Sequence, residues 1–168
     1  MRCIADTAPG PTPSVPLEST PPVSLRGFRV SDVPFVATIV AEALQEHYDP
    51  SLYGSLSHDW PDGFLVAADS RDVPIGFLLG VSQVECEARI LMFAVERSYR
   101  TQGIGTVLMN AFLDRCRVRS FRRVTLEVRV SNATAIRFYT RYQFAVLDLL
   151  RAYYSDGENG YQMARELP

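Results

Sequence analysis

The most informative absence in this sequence is lysine, because all 17 basic residues of the chain are arginine. A Schiff base with a carbonyl substrate or with pyridoxal phosphate needs a lysine amine, so that chemistry is excluded. The Walker loop of nucleoside triphosphate enzymes needs Gly-Lys-Ser or Gly-Lys-Thr, so that loop is excluded as well.

Cysteine and histidine are also scarce, and their positions are widely separated. The cysteines are Cys3, Cys86 and Cys116, and the histidines are His47 and His58. An odd number of scattered cysteines predicts reduced, structural thiols in a cytoplasmic protein rather than a disulfide framework. These side chains match no familiar metal-ligand spacing, so we expect no metal cofactor.

Long hydrophobic runs and a strong net charge are missing too. The longest apolar stretches free of charge, such as Pro74 to Val84, are far shorter than the roughly 18 residues needed to cross a bilayer, so no membrane association is expected. The formal net charge of the 168 residues is −2, which gives no overall basic field for nucleic acid. With 47% hydrophobic residues, the chain suits a single core of ordinary size.

The first part of the chain differs in composition from the rest. Prolines at positions 9, 11, 13, 16, 21 and 22 interleave with Ser, Thr, Ala and Gly. Such a segment buries too little apolar surface to offset the entropy cost of ordering. We therefore expect a disordered, proline-rich extension over 1–22, either dispensable or a docking arm, and one globular domain over 23–168.

From Val23 the pattern becomes regular and predicts a mixture of strands and helices. Apolar residues at helical spacing predict helices over Val33–Leu44, Thr106–Arg115 and Ala133–Arg141, with a loop rich in turn formers after the first. Alternating or β-branched runs predict strands over Val23–Val30, Phe64–Asp69, Ile75–Val81, Ile90–Val95, Arg123–Val130, Phe144–Arg151 and Tyr161–Arg165. This mixed order predicts an α+β layer fold.

Six residues in the middle of the chain, Arg100-Thr101-Gln102-Gly103-Ile104-Gly105, stand between a predicted strand and a predicted helix. Without Cβ atoms, the two glycines let the main chain approach a ligand closely, and the unpaired N–H groups of a helix's first turn attract anions. The loop therefore predicts a pyrophosphate site. A dinucleotide fingerprint is disfavoured, because Leu108 stands where that motif needs a third glycine.

A second segment makes the glycine loop more specific. It runs Leu126-Glu127-Val128-Arg129-Val130-Ser131-Asn132 and continues to Phe138-Tyr139, followed by Tyr142-Gln143-Phe144. Both segments, in this order and spacing, resemble the GNAT superfamily of acetyl-coenzyme A dependent N-acetyltransferases. Together with the run from Tyr153 to Asn159, they resemble the protein N-terminal acetyltransferases, including archaeal catalytic subunits and bacterial ribosomal-protein alanine acetyltransferases.

The resemblance implies a GNAT fold, with a mixed, mostly antiparallel central sheet flanked by helices, and acetyl-coenzyme A as cosubstrate. It assigns the main-chain groups of Phe93, Ala94 and Val95 to the pantetheine arm, with one of their amides as oxyanion donor. It assigns Asn132 to the same arm, although Asn at a helix start is also an ordinary N-cap. Pyrophosphate would bind the glycine loop and the residue after it: Arg100, Thr101, Gln102, Gly103, Ile104, Gly105 and Thr106.

Acetyl transfer to an amine also needs an acid and a base, because an α-amino group, with a pKa of roughly 7.7 to 8, must lose a proton before it attacks a thioester. The resemblance assigns the acid to Tyr139 and the base, acting through an ordered water, to Glu127. A core aromatic and a surface carboxylate are the structural alternatives for these two residues.

The sequence departs from the family pattern at the position of a possible second base. Similar enzymes carry His or Tyr near the start of the fourth strand as a partner base, whereas this chain places Arg89 there. Arginine stays protonated and cannot act as a base. Either Glu127 acts alone through water, or solvent takes the proton with help from Glu46. Arg89 could also hold Glu127 ionised and lower its basicity.

Two loops are candidates for binding the acceptor peptide. Glu46 and Tyr48 lie in a segment that resembles the acidic and aromatic loop after the first helix of N-terminal acetyltransferases. Tyr153 and Tyr154 lie in the hairpin that faces it in those enzymes. Phenol hydroxyls suit this task because they bond peptide groups while their rings cover apolar side chains. The alternative is a pair of ordinary turns.

Basic residues also cluster around the end of the long central helix. They complement the dipole of the helix C-terminus as a solvated helix end, or they contact ribosomal RNA. Nucleic acid is otherwise not an expected partner. The cluster consists of Arg115, Arg117, Arg119, Arg122 and Arg123.

Three functions remain open at this point. The first is acetylation of the α-amino group of protein N-termini, including those of ribosomal or nascent proteins, by direct attack in a ternary complex. The second is acetylation of lysine side chains or small-molecule amines on the same fold, because a fold does not determine its acceptor. The third is a non-catalytic module that binds acyl-coenzyme A or the ribosome. A cytoplasmic location is expected.

Overall fold

The computed structural model describes residues 23–44 and 48–168. The predicted extension over 1–22 and the candidate substrate residue Glu46 lie outside the described residues. The strands are β1 (Ser24–Gly27), β2 (Phe64–Ala68), β3 (Pro74–Val84), β4 (Glu87–Val95), β5 (Arg123–Arg129), β6 (Ala145–Leu150) and β7 (Gly160–Glu166). The helices are α1 (Val33–Leu44), α2 (Pro50–Asp59), α3 (Ile104–Val118) and α4 (Ala133–Arg141).

The strands form one seven-stranded sheet in the order β1-β2-β3-β4-β5-β7-β6. Neighbouring strands are antiparallel, except that β4 and β5 run parallel. Parallel neighbours need a crossover connection, and α3 lies between β4 and β5 along the chain. This mixed, mostly antiparallel sheet with flanking helices confirms the predicted α+β fold.

Helix α2 corrects the prediction of a loop after α1. The Asp49 side chain accepts a hydrogen bond from the Ser51 N–H at 2.8 Å, and Pro50 occupies the first turn of the helix. Both are standard start signals. Serines and Gly54 lower the helix propensity of the segment, so tertiary packing decides its structure. Tyr53, only 1% exposed, supplies that packing.

Helices pack on both faces of the sheet. One buried cluster joins α3 and α4 to the sheet and includes Leu108, Phe112 and Tyr139. The second cluster joins α1 and α2 to the opposite face and includes Val36 and Tyr53. The side chains of a strand alternate between faces, so β2, β3 and β4 contribute to both clusters.

An irregularity in β4 opens the middle of the sheet. The register between β3 and β4 shifts so that Leu91 is an extra residue in β4. Strand β4 pairs with β5 from Glu87 to Ile90 only, whereas β5 continues along β7 as far as Arg129. A bulge bends its strand and ends regular pairing. The last residues of β4 and β5 therefore diverge and leave a gap, called here the β4–β5 gap.

Candidate active site

The β4–β5 gap leaves main-chain groups of β4 without a strand partner. The Glu96 N–H donates to the Ile75 carbonyl of β3 at 2.9 Å. Main-chain groups of successive residues in a strand point to alternate sides, so those of Ala94 also face β3. The structure therefore corrects the assignment of Ala94 to the pantetheine arm. The main-chain groups of Phe93 and Val95 point into the gap.

The glycine loop ends at the start of α3, where main-chain N–H groups lack a partner among the described residues. Gly103 has a φ of 83°, which strongly favours glycine, and its carbonyl accepts the first hydrogen bond of α3, from the Val107 N–H at 3.0 Å. Within the described chain, the N–H groups of residues 101–106 have no hydrogen-bond partner. A Cβ at Gly105 would lie 3.5 Å from the Phe93 ring, so this helix start adjoins the gap.

The side chains of the loop mainly stabilise the loop itself. Arg100 Nε donates to the Val95 carbonyl at 2.9 Å, and Gln102 donates to a preceding main-chain carbonyl at 2.9 Å. The Thr101 hydroxyl donates to the carbonyl of its neighbour at 2.6 Å, and Ile104 is buried in the core. The main-chain N–H groups are therefore the donors of this loop best placed for an anion.

Tyr139 lies on the α3 and α4 face, where it packs against the strand that borders the gap. The centroid of its ring lies 6.4 Å from that of Phe93, 5.7 Å from that of Phe138 and 5.8 Å from that of Phe144. Burial raises the pKa of the phenol above its usual range, so the hydroxyl stays protonated at neutral pH. No described residue hydrogen bonds with this hydroxyl, which leaves it available to a ligand.

Glu127 lies on the opposite face, because its neighbours Leu126 and Val128 are buried under α3 and α4. Its carboxylate accepts from Arg89, with Oε2 at 2.9 Å from Nε and 2.8 Å from Nη2. Arg89 Nη2 also donates to the Tyr153 hydroxyl at 3.0 Å. The Glu127 side chain is 11% exposed and that of Arg89 34%. The ion pair considered in the sequence analysis is therefore present.

Tyr153 and Tyr154 belong to the turn between β6 and β7. Their rings meet edge to face, with centroids 5.1 Å apart. The guanidinium of Arg129 lies over the Tyr154 ring, 4.0 Å from its centroid. Burial raises the pKa of Tyr154 to about 12, and the charge of Arg129 opposes this rise. Sequence reasoning missed Arg129, although its charge matches the acidic residues of the turn, Asp156 and Glu158.

Asn132 is the N-cap of α4, which is the ordinary structural role of an Asn at a helix start. Its Oδ1 accepts from the Ala135 N–H at 3.0 Å at the start of α4. Because capping uses only the oxygen, the side-chain amide is left to donate to a ligand.

Tyr48, 40% exposed, comes just before α2, the helix that packs on the face of Glu127.

The basic cluster at the end of α3 is largely neutralised by nearby carboxylates. Arg115 pairs with Asp62 at 2.9 Å, and Arg117 pairs with Asp114 at 2.6 Å. Arg123 pairs with Glu166 at 2.7 Å. The cluster is therefore better described as a solvated helix end than as a positively charged surface for RNA phosphates.

The described residues contain neither a membrane-spanning helix nor a group of side chains that could hold a metal ion. No helix there has the length and apolar character needed to cross a membrane. In the same residues, no group of three or more His, Cys, Asp or Glu side chains is placed to hold a metal ion.

Comparison with known proteins identifies the class. The model of the acetyltransferase (GNAT) family matches residues 33–144. An N-alpha-acetyltransferase of Sulfurisphaera tokodaii is 32% identical over 155 residues, which is 85% of this chain and 92% of the relative. The crystal structure of Ard1 from Thermoplasma volcanium shares 39% identity with a TM-score of 0.84, over 87% of this chain and 98% of that one.

A bacterial enzyme is similar as well. The ribosomal-protein-S18-alanine N-acetyltransferase from Escherichia coli shares 25% identity with a TM-score of 0.75, over 86% of this chain and 93% of that one. The chain belongs to the acetyltransferase (GNAT) family. The predicted family and fold are thereby confirmed.

Proposed function

We propose that this protein transfers the acetyl group of acetyl-coenzyme A to the α-amino group of protein N-termini, by direct attack in a ternary complex. The observation that carries the proposal is the β4–β5 gap, with the Tyr139 phenol on one face of the sheet and the Glu127 carboxylate on the other. A coenzyme on the first face and an amine from the second would meet there. The names of the relatives agree with this activity.

The residues of the first face fit acetyl-coenzyme A, which supplies the acetyl group as a thioester. The free N–H groups of 101–106, at the positive end of the α3 dipole, hold the pyrophosphate. The main-chain groups of Phe93 and the Val95 N–H pair with the extended pantetheine arm like an added strand. The amide of Asn132 donates to the same arm.

The reaction forms a bond between the α-nitrogen and the carbonyl carbon and breaks the bond from that carbon to sulfur. The N–H of Phe93 or Val95 stabilises the negative charge that develops on the carbonyl oxygen. The Tyr139 hydroxyl, protonated at neutral pH, donates its proton to the departing sulfur. Glu127 receives the proton of the amine through a water molecule.

Arg89 forms an ion pair with the proposed base, Glu127. Its guanidinium remains protonated and lies within hydrogen-bond distance of Glu127, so it cannot replace the His or Tyr of similar enzymes as a second base. It orients the carboxylate and links it to Tyr153. Glu127 is therefore the base of this site, with solvent as the final acceptor of the proton.

The peptide lies on the face of Glu127, between the α1–α2 segment and the turn that carries the paired tyrosines. The hydroxyls of Tyr48, Tyr153 and Tyr154 bind the main chain of the first peptide residues, and their rings cover the side chains. Glu46 is the fourth residue of this set. The substrates include ribosomal or nascent proteins, and the enzyme acts in the cytoplasm.

Transfer of labelled acetyl groups to a small peptide panel tests the function. The panel holds lysine-free peptides with a free N-terminus, the same peptides with a blocked N-terminus, blocked peptides that contain lysine, and small-molecule amines. The proposal expects label in the free, lysine-free peptides only. Label confined to lysine or to small amines would replace it with the second function class. Cofactor binding without any transfer would replace it with a non-catalytic module.

A further inference from the structure

The turn between β6 and β7 is held in one shape by its own main chain. The Tyr154 N–H donates to the Glu158 carbonyl at 3.1 Å, and the Gly157 N–H donates to the Tyr154 carbonyl at 2.8 Å. The Ala152 N–H donates to the Asn159 side chain at 2.8 Å. These bonds close the turn locally but do not fix its position relative to the gap.

Arg129, at the end of β5, supplies that external attachment. Its Nη1 lies 2.8 Å from Asp156 Oδ2 and 2.9 Å from Glu158 Oε2, so one cation joins both acidic residues of the turn. The Arg129 side chain is only 22% exposed. Its guanidinium also covers the Tyr154 ring, at 4.0 Å from the centroid. Charge and cation–π attraction therefore act on the same turn from the same side chain.

The chain just after β5 makes a second attachment. The Ser131 N–H donates to Glu158 Oε1 at 3.0 Å, and the Val130 N–H donates to the Asn159 carbonyl at 3.1 Å. Glu158 thus accepts from Arg129 with one oxygen and from Ser131 with the other. The carboxylate is held at both oxygens, and its pKa is lowered to about 2, first by the bonds to Ser131 and then by Arg129.

The other edge of the turn reaches the catalytic carboxylate. Tyr153 accepts from Arg89, which in turn binds Glu127, a residue of β5 two positions before Arg129. Alternation places Glu127 and Arg129 on the same face of that strand. The tyrosine turn therefore lies between two arginines, one of which holds the base and the other the acidic end of the turn.

We infer that Arg129 is a positioning residue for the acceptor peptide: it docks the β6–β7 turn onto β5 so that Tyr153 and Tyr154 face the β4–β5 gap. The inference rests on the proposed function, since it concerns the peptide side of the same site. Arg129 itself contacts neither reacting atom. Its loss should loosen the turn while leaving the glycine loop, on the opposite face of the sheet, intact.

Kinetics of Arg129→Gln test this role. The glutamine variant keeps a polar side chain but loses both ion pairs and the stacking on Tyr154. We expect the KM for peptide to rise by about tenfold or more, with the KM for acetyl-coenzyme A unchanged. Arg129→Lys keeps the charge without the planar fork, so it should restore part of the loss. Arg123→Gln, which removes an exposed ion pair at the far end of β5, is the matched control.

Hydrogen exchange gives a readout that does not need activity. In Arg129→Gln, the amides of Ser131, Tyr154 and Gly157 should exchange faster, while those of Val124 and Leu126 stay protected. If the wild-type protein acetylates no peptide but these amides respond, the proposed function fails and the docking of the turn stands. An unchanged peptide KM, an equal rise in both KM values, or unchanged exchange in the turn would overturn the inference.

Discussion

The different roles proposed for Tyr139 and Glu127 rest on their positions on different faces of one sheet. The phenol is buried among aromatic rings and stays protonated, as a proton donor must. The carboxylate lies on the face that carries α1 and α2, where Arg89 binds it. Neither orientation can be read from residue identity alone. The alternation of β5 and the packing of α4 on the same face of the sheet as α3 determine it.

Replacing Tyr139 by Phe removes only the phenol hydroxyl and so tests whether Tyr139 is the general acid. The ring packing is preserved, so the affinity for acetyl-coenzyme A should stay near that of the wild type. The loss of the proton donor should lower kcat roughly 100-fold. Tyr161→Phe, which removes the hydroxyl of a half-buried tyrosine on β7, serves as the control. A kcat for Tyr139→Phe equal to that of the control would remove Tyr139 from the mechanism.

The pH profile of Glu127→Gln tests the base. Below the pKa of the α-amino group, about 8, most of the acceptor is protonated and a base is needed; above it, free amine is abundant. The rate of the variant should therefore fall most near neutral pH and recover as the pH rises towards 9.5. A constant fractional loss of kcat/KM from pH 6.5 to 9.5 would mean that Glu127 positions the peptide instead of taking a proton.

The start of α3 is the element proposed to bind the pyrophosphate of acetyl-coenzyme A. A side chain at Gly105 would project towards Phe93 and Phe138, whose rings lie 3.5 Å and 3.8 Å from the position of its Cβ. Because the helical conformation of this residue accepts any side chain, Gly105→Val should keep the fold and weaken acetyl-coenzyme A binding, measured by calorimetry. Gly27→Val on the edge strand β1, where a Cβ meets nothing within 4 Å, is the control. Equal affinities in the two variants would exclude the pyrophosphate site.

Sequence reasoning succeeded for elements whose pattern is local. The strands of the gap, the helix after the glycine loop and the β6–β7 hairpin follow from periodicity and turn residues. Helix α2 was missed because Tyr53 stabilises it through packing on the sheet, which its weak local propensity does not reveal. The bulge at Leu91 was also beyond sequence reasoning, because it depends on pairing with β3.

The residues of the candidate site divide in the same way, into those that a sequence motif indicates and those that only the tertiary structure brings together. Gly103 and Tyr139 could be proposed from the sequence because each lies in a motif. Arg129 was missed because its partners, Asp156 and Glu158, lie 27 and 29 positions away and meet it only when β5 pairs with β7. The main-chain role of Ala94 was misassigned because the direction of its N–H depends on the strand register.

At the scale of the whole molecule, ion pairs predict how stability depends on pH. Arg26 and Arg29 lower the pKa of Asp72, and Ser131 and Arg129 lower that of Glu158 to about 2. A carboxylate with a lowered folded-state pKa stabilises the protein above its unfolded value, near 4, and loses this contribution as the pH falls through the folded value. Tm should therefore be level above about pH 5 and decrease between about pH 4 and 2. A Tm that stays constant over that acid range would contradict the ion-pair assignments.

A ligand that joins coenzyme A to a peptide tests most directly whether the two substrates bind together across the β4–β5 gap. In this ligand, the sulfur of coenzyme A is joined through an acetyl group to the α-nitrogen of a lysine-free peptide. A matched conjugate is joined instead to the side-chain amine of an internal residue. Calorimetry should show the first conjugate binding about 100-fold or more tightly than coenzyme A, and the second losing most of this gain. Equal affinities for both conjugates and for coenzyme A would contradict acetyl transfer to protein N-termini through the β4–β5 gap.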